Sequence, residues 1–341
     1  MNKQGHIGIF LALIIGLLVV WLMSLTLGSI WISLSEVFAA LTQGSLNSEA
    51  NGYIITHYRL PKSITAILAG AGLATAGLLM QTLFRNPLAG PFVLGVSSGA
   101  SLGVALLVLG TSVLGFSPLL SYSKWGTVIA ATLGSLIVLF AILMVAKSMK
   151  DTMALLIVGL MFGSLTAAVV SVLAYFSKAE ELQRYIFWSF GNLGDNSWQA
   201  VGILALSVGI GLLLTTLLIK PLNALLMGEH YARSMGVAVG KSRILMIVAT
   251  CLMAGAVTAF AGPIAFIGLA VPHLIRQWVP GMDHRFLFPA CALGGAILLL
   301  VCDLIAQLPM SSYTLPINAI TALVGAPVVI WLLLRRKKLI F

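Results

Sequence analysis

The chain has 341 residues, of which 60% are hydrophobic and only 8% are charged, whereas a soluble domain carries about 25% charged residues. So few polar side chains could not cover a water-soluble protein of this size. The composition therefore excludes a soluble enzyme or binding module and indicates a protein surrounded by lipid. The formal charge of +10 is scattered between apolar runs, so nucleic acid is not an expected partner.

Apolar runs recur along the whole chain, each close to the roughly 20 residues that a helix needs to cross the hydrocarbon of a bilayer. They lie at 7-27, 63-84, 92-110, 126-146, 152-176, 198-219, 244-261, 263-279, 286-306 and 315-334. Gly, Pro and Ser interrupt the third and eighth runs, which are the weakest candidates. We predict an all-α, polytopic membrane protein of about ten transmembrane helices.

The basic residues predict the orientation, because Lys and Arg accumulate in short cytoplasmic loops. With the N-terminus inside, fourteen of the 19 basic residues fall in inner segments. The five in outer segments are Arg59, Lys62, Lys124, Lys178 and Arg184. We therefore expect a multi-pass protein of the bacterial cytoplasmic (inner) membrane with both termini in the cytoplasm.

Two polar segments are longer than simple turns. Residues 28-62 are predicted outside and contain an amphipathic stretch at 32-41, typical of a helix on the membrane surface. Residues 220-243 are predicted inside, as short helices separated by breaks at Gly228, Gly236 and Gly240. Such an inner loop would suit the docking of a cytoplasmic partner.

Few residues could carry chemistry. The stretch 236-242, GVAVGKS, has three residues between its glycines where a phosphate-binding loop needs four, so any ATPase should be a separate chain. Asp303 is the main carboxylate inside a span, and a helix-end role is at least as consistent with it as a role in transport. His273 and the three cysteines have no metal-ligand spacing. We predict a structural role for His273 in preference to metal or haem ligation. We expect no cofactor, no metal site and no catalytic residue.

Small residues and a faint internal similarity bear on helix packing. Clusters such as 69-72 and 97-103 let helices approach closely in lipid, and a smooth pathway wall is the alternative use. Gly90-Pro91 and Gly262-Pro263 each follow a span that begins with Lys-Ser, one predicted to start outside and the other inside. The similarity leaves an inverted repeat, a common transporter plan, and a chance resemblance equally open.

Several blocks in fixed order carry a resemblance to a known family. They are 59-62 (RLPK), 77-81 (GLLMQ), 85-89 (RNPLA), 94-100 (LGVSSGA), 228-237 (GEHYARSMGV), 261-269 (AGPIAFIGL), 271-273 (VPH), 283-285 (DHR) and 315-327. Together they cover nearly the whole chain. The sequence resembles the FecCD-type permeases, which import iron-siderophores, haem and cobalamin with a binding protein and an ATPase pair.

The resemblance implies one transmembrane permease domain over 1-341, paired with a second copy or a sister permease around a central pathway. The span at 152-176 would line that pathway. The segment 220-243 would couple to the ATPase dimer through Gly228, Glu229, Tyr231, Ala232, Arg233 and Gly236. Glu229 and Arg233, four apart, can stabilise a short exposed helix.

At the outer face the resemblance implies docking of a periplasmic or lipoprotein substrate-binding protein on Arg59 and Lys62. Ordinary anchoring at the membrane interface is the alternative role for these two residues. Gln307 stands where the family has a third basic residue, which puts the full docking pattern in doubt.

The functional hypothesis rests on the family resemblance more than on any single residue. The leading hypothesis is a permease that translocates an iron(III)-siderophore or related metal chelate, powered by a separate ATPase. Import of haem or cobalamin is the alternative within the family. A secondary carrier driven by an ion gradient is a more distant alternative, disfavoured by the scarcity of carboxylates inside the spans. An enzyme within the membrane is disfavoured because no polar catalytic cluster lies in the spans.

Overall fold

A computed structural model describes residues 3-42, 49-111, 123-148, 152-279, 283-308, 311 and 313-335. The regular elements within these ranges are all helical. They are α1 (Lys3–Thr26), α2 (Leu34–Thr42), α3 (Glu49–Ile54), a π-turn (Ile55–Arg59), α4 (Leu60–Phe84), a 3-10 turn (Pro91–Leu94), α5 (Val96–Val108), α6 (Lys124–Ser148), α7 (Thr152–Phe176), α8 (Ala179–Ser189), α9 (Trp198–Leu217), α10 (Ile219–Leu226), α11 (Glu229–Ser234), α12 (Val239–Ala261), α13 (Ile267–Trp278), α14 (His284–Ala306) and α15 (Ile317–Arg335).

Seven of the described helices are long and apolar enough to cross a membrane, and two shorter apolar helices, Val96–Val108 and Ile317–Trp331, accompany them. The all-α polytopic fold is thus confirmed. All ten predicted spans coincide with helices, but the third and the eighth are shorter than expected. Gly95 and Phe266, both with positive φ, directly precede α5 and α13. These backbone breaks shorten the two helices to 13 and 12 residues.

Burial separates central helices from peripheral ones. In α4 and α12, 78% and 72% of the most apolar window is buried inside the protein, against 11% in α1 and 17% in α7. The apolar side chains exposed along α1 and α7 could face lipid or another protein chain, because either environment keeps them out of water. The helices α4 and α12 therefore form the centre of the bundle.

Glycines set how closely the central helices approach. A Cβ on Gly70 of α4 would collide with the backbone of Gly295 in α14, and a Cβ on Gly77 would collide with Gly268 of α13. On the other side of the bundle, a Cβ on Gly99 would lie 2.6 Å from the Gly134 carbonyl oxygen. Close packing of backbones is the main use of small residues between membrane helices. The packing interpretation of the stretches 69-72 and 97-103 is confirmed at these positions.

Candidate functional site

One end of the bundle carries the segment that the sequence singled out at 220-243. The helix α10 is followed by Gly228 at φ +115°, then by α11, and then by Gly236 at φ +79°. Positive φ values are accessible mainly to glycine, so these two residues allow the chain to change direction at both ends of α11. Gly240, expected to be a third break, is helical within α12, which begins at Val239. That expectation was wrong because Gly240 does not need a positive φ.

Ionic contacts hold α11 against the bundle. The Arg233 Nη2 atom lies 3.5 Å from Glu229 Oε2, as the i, i+4 spacing predicted. A second cation, Arg243 of α12, approaches closer, with its Nη2 atom 2.8 Å from Glu229 Oε1. Arg233 is largely exposed whereas Arg243 is nearly buried. Glu229 is thus anchored mainly by Arg243, a residue that no local pattern predicted.

The outward face of this segment is apolar. Met227, Tyr231 and Met235 are 68%, 47% and 61% exposed, whereas Ala232 is fully buried against the bundle. The three exposed side chains are four residues apart in sequence, a spacing that could have pointed to Met227 and Met235 as well as Tyr231. We define Met227, Tyr231, Arg233 and Met235 as the coupling face.

The opposite end of the bundle carries Arg59 and Lys62. Arg59 is 7% exposed, and its guanidinium group donates hydrogen bonds to the carbonyl oxygens of Leu25, Thr26 and Ile30. Lys62 Nζ lies 3.1 Å from Asp303 Oδ1 and 3.1 Å from Gln307 Oε1. The two cations are therefore already engaged within the chain, Arg59 by backbone carbonyls and Lys62 by a carboxylate.

A cavity of about 670 Å³ opens beside these residues. Arg59, Lys62, Asp303 and Gln307 line it together with residues that follow α8 and precede α15. Gln307, which stands in place of the expected third basic residue, hydrogen-bonds Lys62 and so belongs to the same polar cluster. The structure brings Arg59 and Lys62 to one cavity, as their proximity in sequence indicated.

The described part of the chain contains no candidate metal site and no disulfide. No group of three His, Cys, Asp or Glu side chains among the described residues could hold a metal ion. The three cysteines are free and buried within α12 and α14. His273 Nε2 lies 2.7 Å from the Pro87 carbonyl oxygen, a contact between α13 and the loop after α4. This contact is consistent with the structural role predicted for His273.

Exposed hydroxyl groups on α7 are satisfied within their own helix. Ser164 Oγ donates to the Leu160 carbonyl oxygen at 3.2 Å, and Ser171 Oγ donates to Ala167 at 2.9 Å. Most other exposed side chains on α7 are apolar, including Met161, and the phenol of Tyr175 near the end of the helix is an exception. The exposed side of α7 therefore presents few strong hydrogen-bonding groups to whatever lies beside it.

Known proteins share this sequence and fold. The profile of the FecCD transport family matches residues 16–335. The vitamin B12 import system permease protein BtuC of Klebsiella pneumoniae is 39% identical over 323 residues, covering 94% of this chain and 92% of the relative. The protein of the same name from Salmonella typhimurium is 38% identical over 323 residues, covering 93% and 96%.

A solved structure agrees with these relatives. A transporter described as a metal-chelate type ABC transporter in an inward-facing conformation superimposes with a TM-score of 0.84 at 28% identity, covering 96% of this chain and 99% of that one. The family match spans nearly all of the helices described above. The chain therefore belongs to the FecCD transport family, as a permease of the ABC importer class.

Proposed function

We propose that this chain is the permease of an ATP-driven importer of cobalamin or a closely related corrinoid. The observation that carries this proposal is the similarity, over more than nine-tenths of both chains, to permeases named for vitamin B12 import. An iron(III)-siderophore, the leading cargo predicted from the sequence, becomes the alternative cargo. It keeps support from the metal-chelate transporter whose fold this chain shares, and haem has no specific support.

The coupling face supports docking of an ATPase. Met227, Tyr231 and Met235 offer exposed apolar surface beside the exposed Arg233, and a partly apolar patch rimmed by charge is typical of a docking site. Gly228 and Gly236 shape the segment, Glu229 holds it to Arg243, and Ala232 packs it against the bundle. ATP hydrolysis would take place on a separate ATPase dimer on the cytoplasmic side, where both termini are also proposed to lie.

The cavity at the other end would receive a substrate-binding protein. Lys62 is the better candidate for docking, because an acidic side chain entering the cavity could compete with Asp303 for it. Arg59 lines the same cavity but donates to three carbonyl oxygens, so its principal role would be to hold the cavity wall.

The pathway would form between two copies of the permease, or between this chain and a sister permease, in the inner membrane. The exposed face of α7 suits such a wall, because its serine hydroxyls bond to their own helix and leave few groups to retain a cargo. Alternating access would then follow from ATP binding favouring one arrangement of the helices over another.

Transport by the reconstituted complex tests the proposal. The permease, its ATPase and its binding protein would be placed in liposomes and supplied with radiolabelled cyanocobalamin or a radiolabelled ferric hydroxamate, with and without ATP. We expect ATP-dependent accumulation of cyanocobalamin. Accumulation of the ferric hydroxamate alone would restore the siderophore hypothesis. Uptake on a proton or sodium gradient without the ATPase would overturn the ATP-driven mechanism.

A further inference from the structure

A partly buried polar network joins the segment 220-243, which we call the coupling segment, to α4 and α14. The side-chain oxygen Asn223 Oδ1 in α10 accepts a hydrogen bond from the His284 backbone N–H at 2.9 Å and lies 2.8 Å from His284 Nδ1. His284 is fully buried, and its Nε2 atom lies 3.1 Å from Thr82 Oγ1 in α4. One amide therefore connects α10 to the first residue of α14 and, through the imidazole, to α4.

The same amide also holds Asp283. Asn223 Nδ2 donates to Asp283 Oδ1 at 2.7 Å, and that oxygen also accepts from the Arg285 backbone N–H at 2.9 Å. Partial burial raises the pKa of Asp283, but the hydrogen bonds from Arg285 and Asn223, together with the positive charge of Arg285 and the charge of His284, leave the pKa below its ordinary value. Asp283 is thus an ionised N-cap of α14 whose second partner is the coupling segment.

A second contact, close to Asn223, holds the C-terminal end of α10. Arg85 follows α4 in a left-handed conformation, with φ 48°. Its Nη2 atom donates to the carbonyl oxygens of Leu225 and Leu226 at 3.2 and 3.3 Å. The last carbonyls of a helix lack partners within the helix and carry partial negative charge, so a cation is favoured there. The C-terminal half of α10 is therefore tied to α14 through Asn223 and to the end of α4 through Arg85.

The helices α4 and α14 are in turn joined along their length. At the coupling end Thr82 contacts His284, in the middle Gly70 packs directly on Gly295, and at the far end Lys62 pairs with Asp303. Such close packing can transmit a displacement from one end of the pair to the other, because protein interiors have low compressibility.

We propose that Asn223 and Arg85 are positioning residues that join the coupling segment to the α4–α14 pair, so that displacement of the segment is carried to the cavity beside Lys62 and Asp303. This inference rests on the proposed ATP-driven import. The segment does not need to act on the pathway helices directly, because its first helix is already attached to the centre of the bundle. The proposed role requires neither residue to contact cargo.

Transport stoichiometry tests this role. In the reconstituted complex, Asn223→Ala should lower the number of cyanocobalamin molecules imported per ATP hydrolysed by about 2- to 30-fold, the range found for mutations within coupled networks. A purely structural defect would reduce the amount of assembled complex, lowering import and hydrolysis together and leaving this ratio unchanged. An unchanged ratio in Asn223→Ala would overturn the proposal.

Two further variants control the experiment. Gln277→Ala removes an exposed amide at the end of α13 and should leave the ratio unchanged. The exchanged pair Asn223→Asp with Asp283→Asn restores one amide and one carboxylate with reversed positions. It should recover most of the ratio lost in Asn223→Asp alone, because an asparagine can also cap α14. Failure of the exchange to recover the ratio would count against the network.

A second measurement does not depend on the cargo. Ser29 is exposed and lines the cavity, so Ser29→Cys can be labelled with a maleimide. We expect ATP to change the labelling rate in the otherwise unaltered complex and to change it much less when Asn223→Ala is added. An equal response in both would overturn the proposed linkage. If cyanocobalamin is not imported at all, the cargo assignment fails while this measurement still tests the linkage.

Discussion

Lys62 Nζ lies 3.1 Å from Asp303 Oδ1, and this ion pair joins the first turn of α4 to the last turn of α14. Asp303 is 4% exposed, so its carboxylate depends on Lys62 for compensation of charge. Removing one partner of a buried ion pair is much more costly than removing both, because the remaining charge is left without a counter-ion.

We therefore predict that Lys62→Met destabilises the folded permease by about 3 kcal/mol, at the lower end of the usual range because Lys62 faces the cavity. Thermal unfolding in detergent would measure the loss. The double variant Lys62→Met with Asp303→Leu should be more stable than Lys62→Met alone. Additive losses from the two substitutions would show that the pair is not coupled.

Backbone contact between α4 and α13 predicts an intolerant glycine. Gly77→Ala should reduce the yield of folded, monodisperse protein and destabilise it by about 1–3 kcal/mol or more, because the new Cβ meets the Gly268 carbonyl and overpacks the interface. The matched control is Gly202→Ala in α9, where the added Cβ would lie in open space beside its own helix backbone. Equal yields of the two variants would refute the predicted contact.

Arg233 and Arg243 are predicted to have separable roles. Arg233→Ala should change stability by less than about 1 kcal/mol, because exposed ion pairs contribute little. It should nevertheless weaken the coupling of ATP hydrolysis to uptake, because Arg233 belongs to the coupling face. Parallel measurements of thermal unfolding, ATPase rate and uptake would separate these effects.

Arg243→Ala provides the contrast. It removes the shorter contact to Glu229 from a nearly buried position, so we expect a larger loss of stability than in Arg233→Ala. Normal uptake in Arg233→Ala would argue against a role of this residue in coupling. A melting temperature lower in Arg233→Ala than in Arg243→Ala would contradict the assignment of Arg243 as the main anchor.

Loss of the Arg59 guanidinium group should loosen the backbone after α1, because this group donates hydrogen bonds to three carbonyl oxygens there. Hydrogen bonds to a charged group contribute about 1.5–3 kcal/mol each, so Arg59→Met should accelerate amide exchange after α1 by more than about tenfold. The Ile32 amide, which donates to the Thr26 carbonyl oxygen at 3.2 Å, is a suitable reporter. Hydrogen exchange with mass spectrometry would measure it.

Arg59→Lys refines this test. A lysine keeps the charge but cannot reproduce the planar fork of donors, so exchange should be intermediate between the native protein and Arg59→Met. If Arg59→Met exchanges like the native protein while binding of the substrate-binding protein is lost, Arg59 would be a docking residue and not a structural one.

The class of fold was predictable from the order of residues, because the length and composition of an apolar run decide whether a helix can reside in lipid. Local spacing also predicted the exposed helix that contains Glu229 and Arg233, since residues four apart meet on one helix face. The breaks at Gly228 and Gly236 were also predicted from the residue type, because glycine readily adopts positive φ. Gly240 forms no such break, because a glycine permits a break without requiring one.

Contacts between residues far apart in sequence could be identified only from the packed helices. Lys62 and Asp303 are far apart in sequence, as are Asn223 and His284, and each contact depends on how whole helices pack. Arg59 was predicted to dock a partner or to anchor the chain at the membrane interface, yet its guanidinium group donates to three carbonyl oxygens within the chain. Periodicity records only the faces of one helix, whereas these contacts join separate helices through the close approach that Gly70, Gly77 and their partners allow.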